Sequence, residues 1–308
     1  MGTGMKLHFT SGSFHGADWR EKLHRCRENT EKRGWEFGVQ LHNTAPAEVI
    51  GNLARAGVPL SVHAPLNQDR FWNLARQDVR ATFEAIDRNF EEFRRLGIRE
   101  VVFHAALMSD LSPEAFGHGK SYRECMDPVF RPELALWPDK PFNRDFTAEP
   151  EYARRLGYFR ENMRRLTDRY PEFLICLEND FPAYGAMNMY FRDLVRLGLP
   201  LCLDTGHLWI SDHQAGLDFQ TEIETAARSG LVRMCHLHSS IYTSAIPADR
   251  WSDGHQRLIP GNPEMDLPRA VRTLVRGGVD LFVLEIPGAD VEEIELIGRW
   301  LADERQDK

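Results

Sequence analysis

Imidazole and carboxylate side chains in this chain gather where short apolar runs stop. His63 closes Ser61-Val62-His63, His104 closes Val102-Phe103-His104, and Glu178 stands in Cys176-Leu177-Glu178-Asn179. Further on come Asp204 and His207 in Leu203-Asp204-Thr205-Gly206-His207, His236 and His238 after Cys235, Asp253 and His255 in a loop, and Glu285 after Val283-Leu284. Singly, each has an ordinary explanation: a lone histidine at a strand end is usually a hydrogen-bonded structural residue, and a lone carboxylate caps the next helix. Delivered to one place, the same carboxylates would be buried together, which is unfavourable unless cations neutralise them. A donor set of imidazole and carboxylate without thiolate suits divalent Zn2+, then Mn2+, better than Mg2+ or Ca2+.

The elements that would have to deliver these groups can be read from periodicity. Eight apolar, strand-like runs lie at 6–9, 35–41, 60–64, 100–105, 173–178, 201–204, 232–237 and 281–286. Several are continuous rather than alternating, as in parallel strands covered on both faces. Helical spacing links Val79, Phe83, Ile86, Phe90 and Phe93, then Leu156, Phe159, Met163, Leu166 and Tyr170, and, past Asp290, Ile294, Ile297, Trp300 and Leu301. Each set lays one apolar stripe on a sheet. Gly57, Gly97, Gly198, Gly230 and Gly278 fall where a helix would end before the next strand. Strand then helix, repeated around the chain, predicts an α/β fold of the (β/α)8 TIM-barrel type, in which active sites lie at the carboxyl ends of the strands.

The chain has 308 residues, more than the roughly 250 of an ordinary barrel, and the surplus falls in 107–150, after the fourth strand. There Pro113, Pro128, Pro132, Pro138 and Pro141 are interspersed with Phe116, Tyr122, Phe130, Trp137 and Phe142, with no sustained period. A long irregular segment is commonly a lid or binding loop, and aromatic content argues against disorder. The segment is therefore read as an active-site lid, with a surface elaboration as the alternative, and 1–308 as one domain.

Composition bounds the partners. Hydrophobic residues make up 42% and charged residues 27%, enough to bury a core. Lys and Arg total 38 against 46 Asp and Glu, a net charge of −8, so no basic field recruits nucleic acid or an anionic membrane. No apolar run has the length of a signal peptide or membrane span, so a cytoplasmic address is expected. Cys26, Cys125, Cys176, Cys202 and Cys235 form no CxxC pair and are expected to be reduced and buried. The pairs Arg94-Arg95, Arg154-Arg155 and Arg164-Arg165 are expected on solvated helix faces.

From His63 to Glu285 the motifs resemble the xylose isomerase-like barrels, most closely their endonuclease IV branch, the family 2 apurinic endonucleases. The resemblance implies up to three zinc ions. His63 and His104 would bind the first, with Glu178 bridging to the second. Asp204, His236 and Glu285 would complete the second, and His207, Asp253 and His255 would bind the third. The departures lie beside these positions: His238-Ser239 replaces Asn-Asp after the strand-seven motif, Leu66 and Asn67 follow His63 where Tyr and Asn are usual, and Pro260-Gly261 half keeps a Gly-x-Gly. They favour a small molecule over DNA, as does the segment 107–150, with three Arg and two Lys against eight acids.

Two reactions fit. Three divalent ions against Glu178, Asp204, Asp253 and Glu285 would leave the site about two charges positive, suited to a phosphoester that metal-activated water hydrolyses. A single ion on Glu178, Asp204, His236 and Glu285 would leave it about one charge negative, suited to a sugar or sugar phosphate. As in the isomerases and epimerases of the same barrel group, Glu178 and Glu285 would then be the acid and base. A non-catalytic metal-binding barrel is a third reading. His238, Trp137 and Phe71 are the candidates for substrate contact, and His42 lies near the second strand's rim.

Overall fold

Side chains that alternate between the two buried faces of short strands decide what this molecule can place at its centre. Among the residues that the computed structural model describes (4–67, 70–117 and 119–303), eight parallel strands close into one barrel in chain order. They are β1 (Lys6–Thr10), β2 (Glu36–Leu41), β3 (Leu60–His63), β4 (Glu100–Phe103), β5 (Leu174–Glu178), β6 (Leu201–Asp204), β7 (Val232–Leu237) and β8 (Leu281–Leu284). His118, unassigned from sequence, lies outside the described residues. The predicted runs ended one or two residues late at Ala64, Ala105 and Ile286. Two of these precede Pro65 and Pro287, whose missing N–H cannot continue a ladder.

The helices are α1 (Trp19–Glu31), α2 (Ala47–Arg55), α3 (Arg80–Arg95), α4 (Tyr122–Met126), α5 (Pro150–Arg169), α6 (Phe191–Val195), α7 (Thr205–Ala215), α8 (Phe219–Ser229), α9 (Leu267–Arg276) and α10 (Val291–Asp303). The predicted stripes face inward: Phe83, Ile86, Phe90 and Phe93 of α3 and Phe159, Met163 and Leu166 of α5 are buried. Gly230 ends α8 at φ 65°, a left-handed turn open to glycine without the Cβ penalty.

Two cores result. One fills the layer between strands and helices, and a smaller one, of Val102, Cys176, Cys202, Met234, Leu281 and Val283, fills the cylinder. His8 joins the inner layer, its Nδ1 2.8 Å from Ser61 Oγ, and burial pushes its pKa down to about 3. Gly38 makes room for that imidazole: a Cβ there would lie 2.3 Å from His8 Nε2. All five cysteines are free and buried.

The inner layer positions the site by simple alternation. Side chains two residues apart share a face of a strand, so Ser61, Val102, Cys176, Cys202, Met234 and Val283 are followed inward by His63, His104, Glu178, Asp204, His236 and Glu285. The register sets Asp204 level with His236, while Glu178 beside Cys202 and His236 beside Val283 stand one inward layer below the next strand's donor. A one-residue slip of any strand would turn its donor away.

Between β4 and α5 the chain crosses the rim with α4 and two short 3-10 turns, Asp127–Val129 and Pro132–Leu134. Ser121 and Glu124 cap α4 reciprocally. Isolated bridges pair Glu114 with Arg70, Leu107 with Ala186, and Phe142 with Ala183, fastening this segment to the loops that follow β3 and β5. Arg155, expected on a solvated face, is instead only 5% exposed. Its guanidinium donates to the carbonyls of Ala75 and Ser109 and pairs with Asp110 and Glu151. Helical spacing alone could not show that loop carbonyls would need a donor there. No helix among the described residues is long and apolar enough to cross a membrane.

Candidate metal centre

Nine residues singled out by type and position converge on the carboxyl mouth of the barrel. Glu178 lies at the centre, fully buried. Its Oε1 is 2.7 Å from His236 Nδ1, and its Oε2 is 3.2 Å from His63 Nε2 and 3.7 Å from His104 Nε2. His236 Nδ1 also lies 2.8 Å from Glu285 Oε2 and 4.0 Å from Asp204 Oδ2. To one side, Asp253 Oδ2 lies 3.4 Å from His207 Nε2 and 3.0 Å from His255 Nε2.

Ring orientation is set from behind. His207 Nδ1 lies 2.9 Å from the carbonyl of Asn179, and His255 Nδ1 3.0 Å from that of Glu285. An imidazole that donates its Nδ1 proton to a carbonyl turns an Nε2 lone pair outward, the arrangement found behind metal-ligating histidines. His104 Nδ1 lies 3.2 Å from Asp180 Oδ1, close enough for charge to act on it, but without hydrogen-bond geometry. Asn179 ties two strand ends together as well. Its amide donates to the Asp204 carbonyl at 3.0 Å and accepts from the Asp204 N–H at 2.8 Å. Asp204 in turn caps α7, accepting from His207 N at 2.7 Å.

Each charge in the cluster is held by its neighbours against burial. Burial disfavours ionised Glu178, yet His236, His104 and His63 hold its carboxyl well below the usual range. Burial likewise opposes Asp253, which His255 and His207 pull well down. His255 shows the reciprocal shift, for Asp253 outweighs burial and raises it to about 10. At His42 burial, then the nearby His63, outweighs the Glu285 carboxylate 3.9 Å away and lowers the pKa to about 3.

Four groups could hold an ion, the ligand atoms of each lying within 4.8 Å of one another: His63, Glu178 and His236; Glu178, Asp204, His236 and Glu285; His207, Asp253 and His255; and His238, His255 and Glu285. Glu178 Oε2, Glu285 Oε2, His207 Nε2 and His236 Nε2 are buried without a hydrogen-bond partner. Orphaned lone pairs of nitrogen and carboxylate oxygen, gathered in one cluster, fit a divalent cation.

Above this floor opens a cavity of about 690 Å3. His63, His104, His207, Asp253, His255 and Glu285 line it, whereas Glu178, Asp204 and His236 lie beneath. Phe71 is on its wall. Trp137 is one layer behind, packed edge-on against the lining Phe142 at 5.8 Å. His238 is buried under the floor, its Nε2 3.0 Å from Asp204 Oδ2 and its ring stacked 4.5 Å from that of His255. Gly206 admits it, for a Cβ there would lie 2.0 Å from His238 Cε1. Tyr122, named from sequence in the segment 107–150, is on the wall, as are Asp180, Tyr184 and Trp251, which sequence did not single out. Asp180 carried a signal, standing two residues past Glu178 at the same rim, but Tyr184 and Trp251 carried none.

Fold and site together define a (β/α)8 barrel with a candidate metal centre at its carboxyl mouth. No family model matches the chain, and no curated protein matches its sequence. Solved structures do. Endonuclease IV from Thermus thermophilus is 17% identical, with 97% of this chain and 99% of that one covered at a TM-score of 0.53. A D-tagatose 3-epimerase-like protein is 16% identical (98% and 99% covered, TM-score 0.53). The IOLI protein, solved with a bound zinc atom, is 16% identical (97% of each chain covered, TM-score 0.55). At such identities the likeness is one of fold.

Proposed function

We propose that this chain is a divalent-metal-dependent enzyme that hydrolyses a phosphoester-like bond in a small molecule. The observation that carries the reading is that three donor sets share one mouth. An isomerase needs only Glu178, Asp204, His236 and Glu285, whereas His63 joins Glu178 and His236 in an overlapping set, and His207, Asp253 and His255 form a set that shares no residue with the others named. Solved structures of the same fold include an endonuclease, an epimerase-like protein and a protein with a bound zinc atom, and the donor types favour Zn2+, then Mn2+.

When bound, such ions would supply Lewis acidity and water acidic enough to react near neutral pH. The chain supplies the geometry. Glu178 and Glu285 both reach His236, His63 and His104 direct their Nε2 atoms at Glu178, and His207, Asp253 and His255 line the cavity where an ester would lie. His238 fixes Asp204 from below. The segment 107–150 covers the mouth and sheds water from the reacting bond. Hydrolysis needs no other reactant: a water oxygen bonds to phosphorus, the P–O ester bond breaks, and a water proton ends on the departing oxygen.

One observation favours a second reading, a sugar or sugar-phosphate isomerase or epimerase. Glu178 and Glu285 meet at one imidazole, at 2.7 and 2.8 Å, as an acid/base pair would. Metal content per chain, measured after purification without chelator, separates the two. About three ions support hydrolysis, about one supports isomerisation, and none sinks both. Asp253→Ala with His255→Ala should remove about one ion together with activity; unchanged metal with weakened substrate binding would favour the isomerase.

A further inference from the structure

We propose that the substrate carries a flat aromatic or heteroaromatic group on the ester side that is not cleaved, held by Phe71, Phe116, Tyr122 and Tyr184. This rests on the hydrolase reading and names its substrate class. The four rings form an unbroken chain along the cavity wall: Phe71 to Phe116 at 5.4 Å, Phe116 to Tyr122 at 5.4 Å, and Tyr122 to Tyr184 at 5.7 Å. They come from separate places, Phe71 from the loop after β3, Phe116 and Tyr122 from the segment 107–150, and Tyr184 from the loop after β5. Phe116 reaches the floor through His42, 6.2 Å away, which is itself 5.4 Å from His63.

Along the wall the interplanar angles are 41°, 86° and 81°, and all four residues border the cavity. Tyr122 remains 36% exposed, an unfavourable position for a large ring with no ligand to cover it. A polyol against this wall would leave hydroxyls unpaired, whereas a planar group would bury its faces and lose no hydrogen bond. Lys140 and Arg250 also line the cavity, a complement to the ester's negative charge.

The test compares two diesters with one leaving group, phenyl 4-nitrophenyl phosphate and methyl 4-nitrophenyl phosphate, on the full chain loaded with Zn2+. The phenyl ester should have a kcat/KM about tenfold higher, and Phe116→Ala and Tyr122→Ala should each shrink that preference about three- to tenfold. Equal kcat/KM for the two esters, or a preference that neither variant alters, overturns the inference. Binding of phenyl phosphate and methyl phosphate, followed calorimetrically, reads the wall apart from turnover. If neither ester is hydrolysed but phenyl phosphate binds about tenfold tighter and Phe116→Ala abolishes the difference, the hydrolase reading fails and the aromatic recess stands. Equal binding of the two sinks the recess. Should Phe116→Ala fail to fold, Phe71→Ala is measured in its place.

Discussion

Asn179 shows how few atoms aim the centre. Its side chain clamps the backbone of Asp204 in both directions, while its own carbonyl takes the Nδ1 side of His207. Without that clamp Asp204 and His207 remain in the chain but lose their bearing, since a carboxylate or imidazole free to rotate spends little time aimed at a cation. Asn179→Ala is expected to reduce metal affinity or activity about 10- to 100-fold, the usual effect of removing a group that orients ligands. Zinc titration of the variant beside the parent chain checks it, and affinity within twofold would show that strand packing alone aims the ligands. Sequence made His63, His104, Glu178, Asp204, His236 and Glu285 visible because position at a strand end is a local property, whereas His207 on α7 and Asp253 and His255 in a loop were grouped by the family resemblance. It left His238 open, because whether that imidazole meets substrate or Asp204 depends on the space above Gly206, and no periodic pattern reports that space.

The elements divide into those whose form is written locally and those fixed by contact. Each strand was legible from a short apolar run, and α3 and α5 from their stripes, because a sheet and a helix bury one face at a fixed period. The segment 107–150 has no period, and its order comes from outside itself. Arg155 of α5 supplies much of it, holding the carbonyls of Ala75 and Ser109 while sharing Glu151 with Arg131. Glu151 is pulled down to about 2, first by Arg131, with Arg155 adding to it against burial, so the network is ionised throughout the neutral range. Arg155→Met keeps the stem and removes the donors, leaving buried carbonyls and Glu151 short of a partner. A loss of about 2–4 kcal/mol in unfolding free energy is expected, as for other buried pairs broken on one side. Urea denaturation would measure it; a change below about 0.5 kcal/mol would mean that Arg131 and water suffice.

At the scale of the whole molecule, buried charged groups are held by partners, at the mouth and in pairs such as Glu293 with Arg257 and Arg155 with Glu151, which makes an unpaired buried carboxyl conspicuous. Asp212 of α7 is 1% exposed, neither side-chain oxygen has a hydrogen-bond partner, and burial, then Glu222 of α8, raises its pKa to about 8. An unfolded aspartate titrates near its ordinary value of about 3.9. Between those two pH values the folded chain therefore binds a proton that the unfolded chain has released, so stability declines as pH rises through this window and levels off above the folded value. Glu222, also raised by burial, adds to the same trend. Asp212→Asn removes the proton uptake while keeping the shape. It should stabilise the chain by about 1–3 kcal/mol at pH 8 and by much less near pH 4, because at the acid end both states of the parent hold the proton. Thermal unfolding of parent and variant across pH 4–9 provides the comparison, in which the two melting curves should converge toward acid and separate toward base. A gap independent of pH would mean that Asp212 is ionised in the folded chain and has a counter-charge.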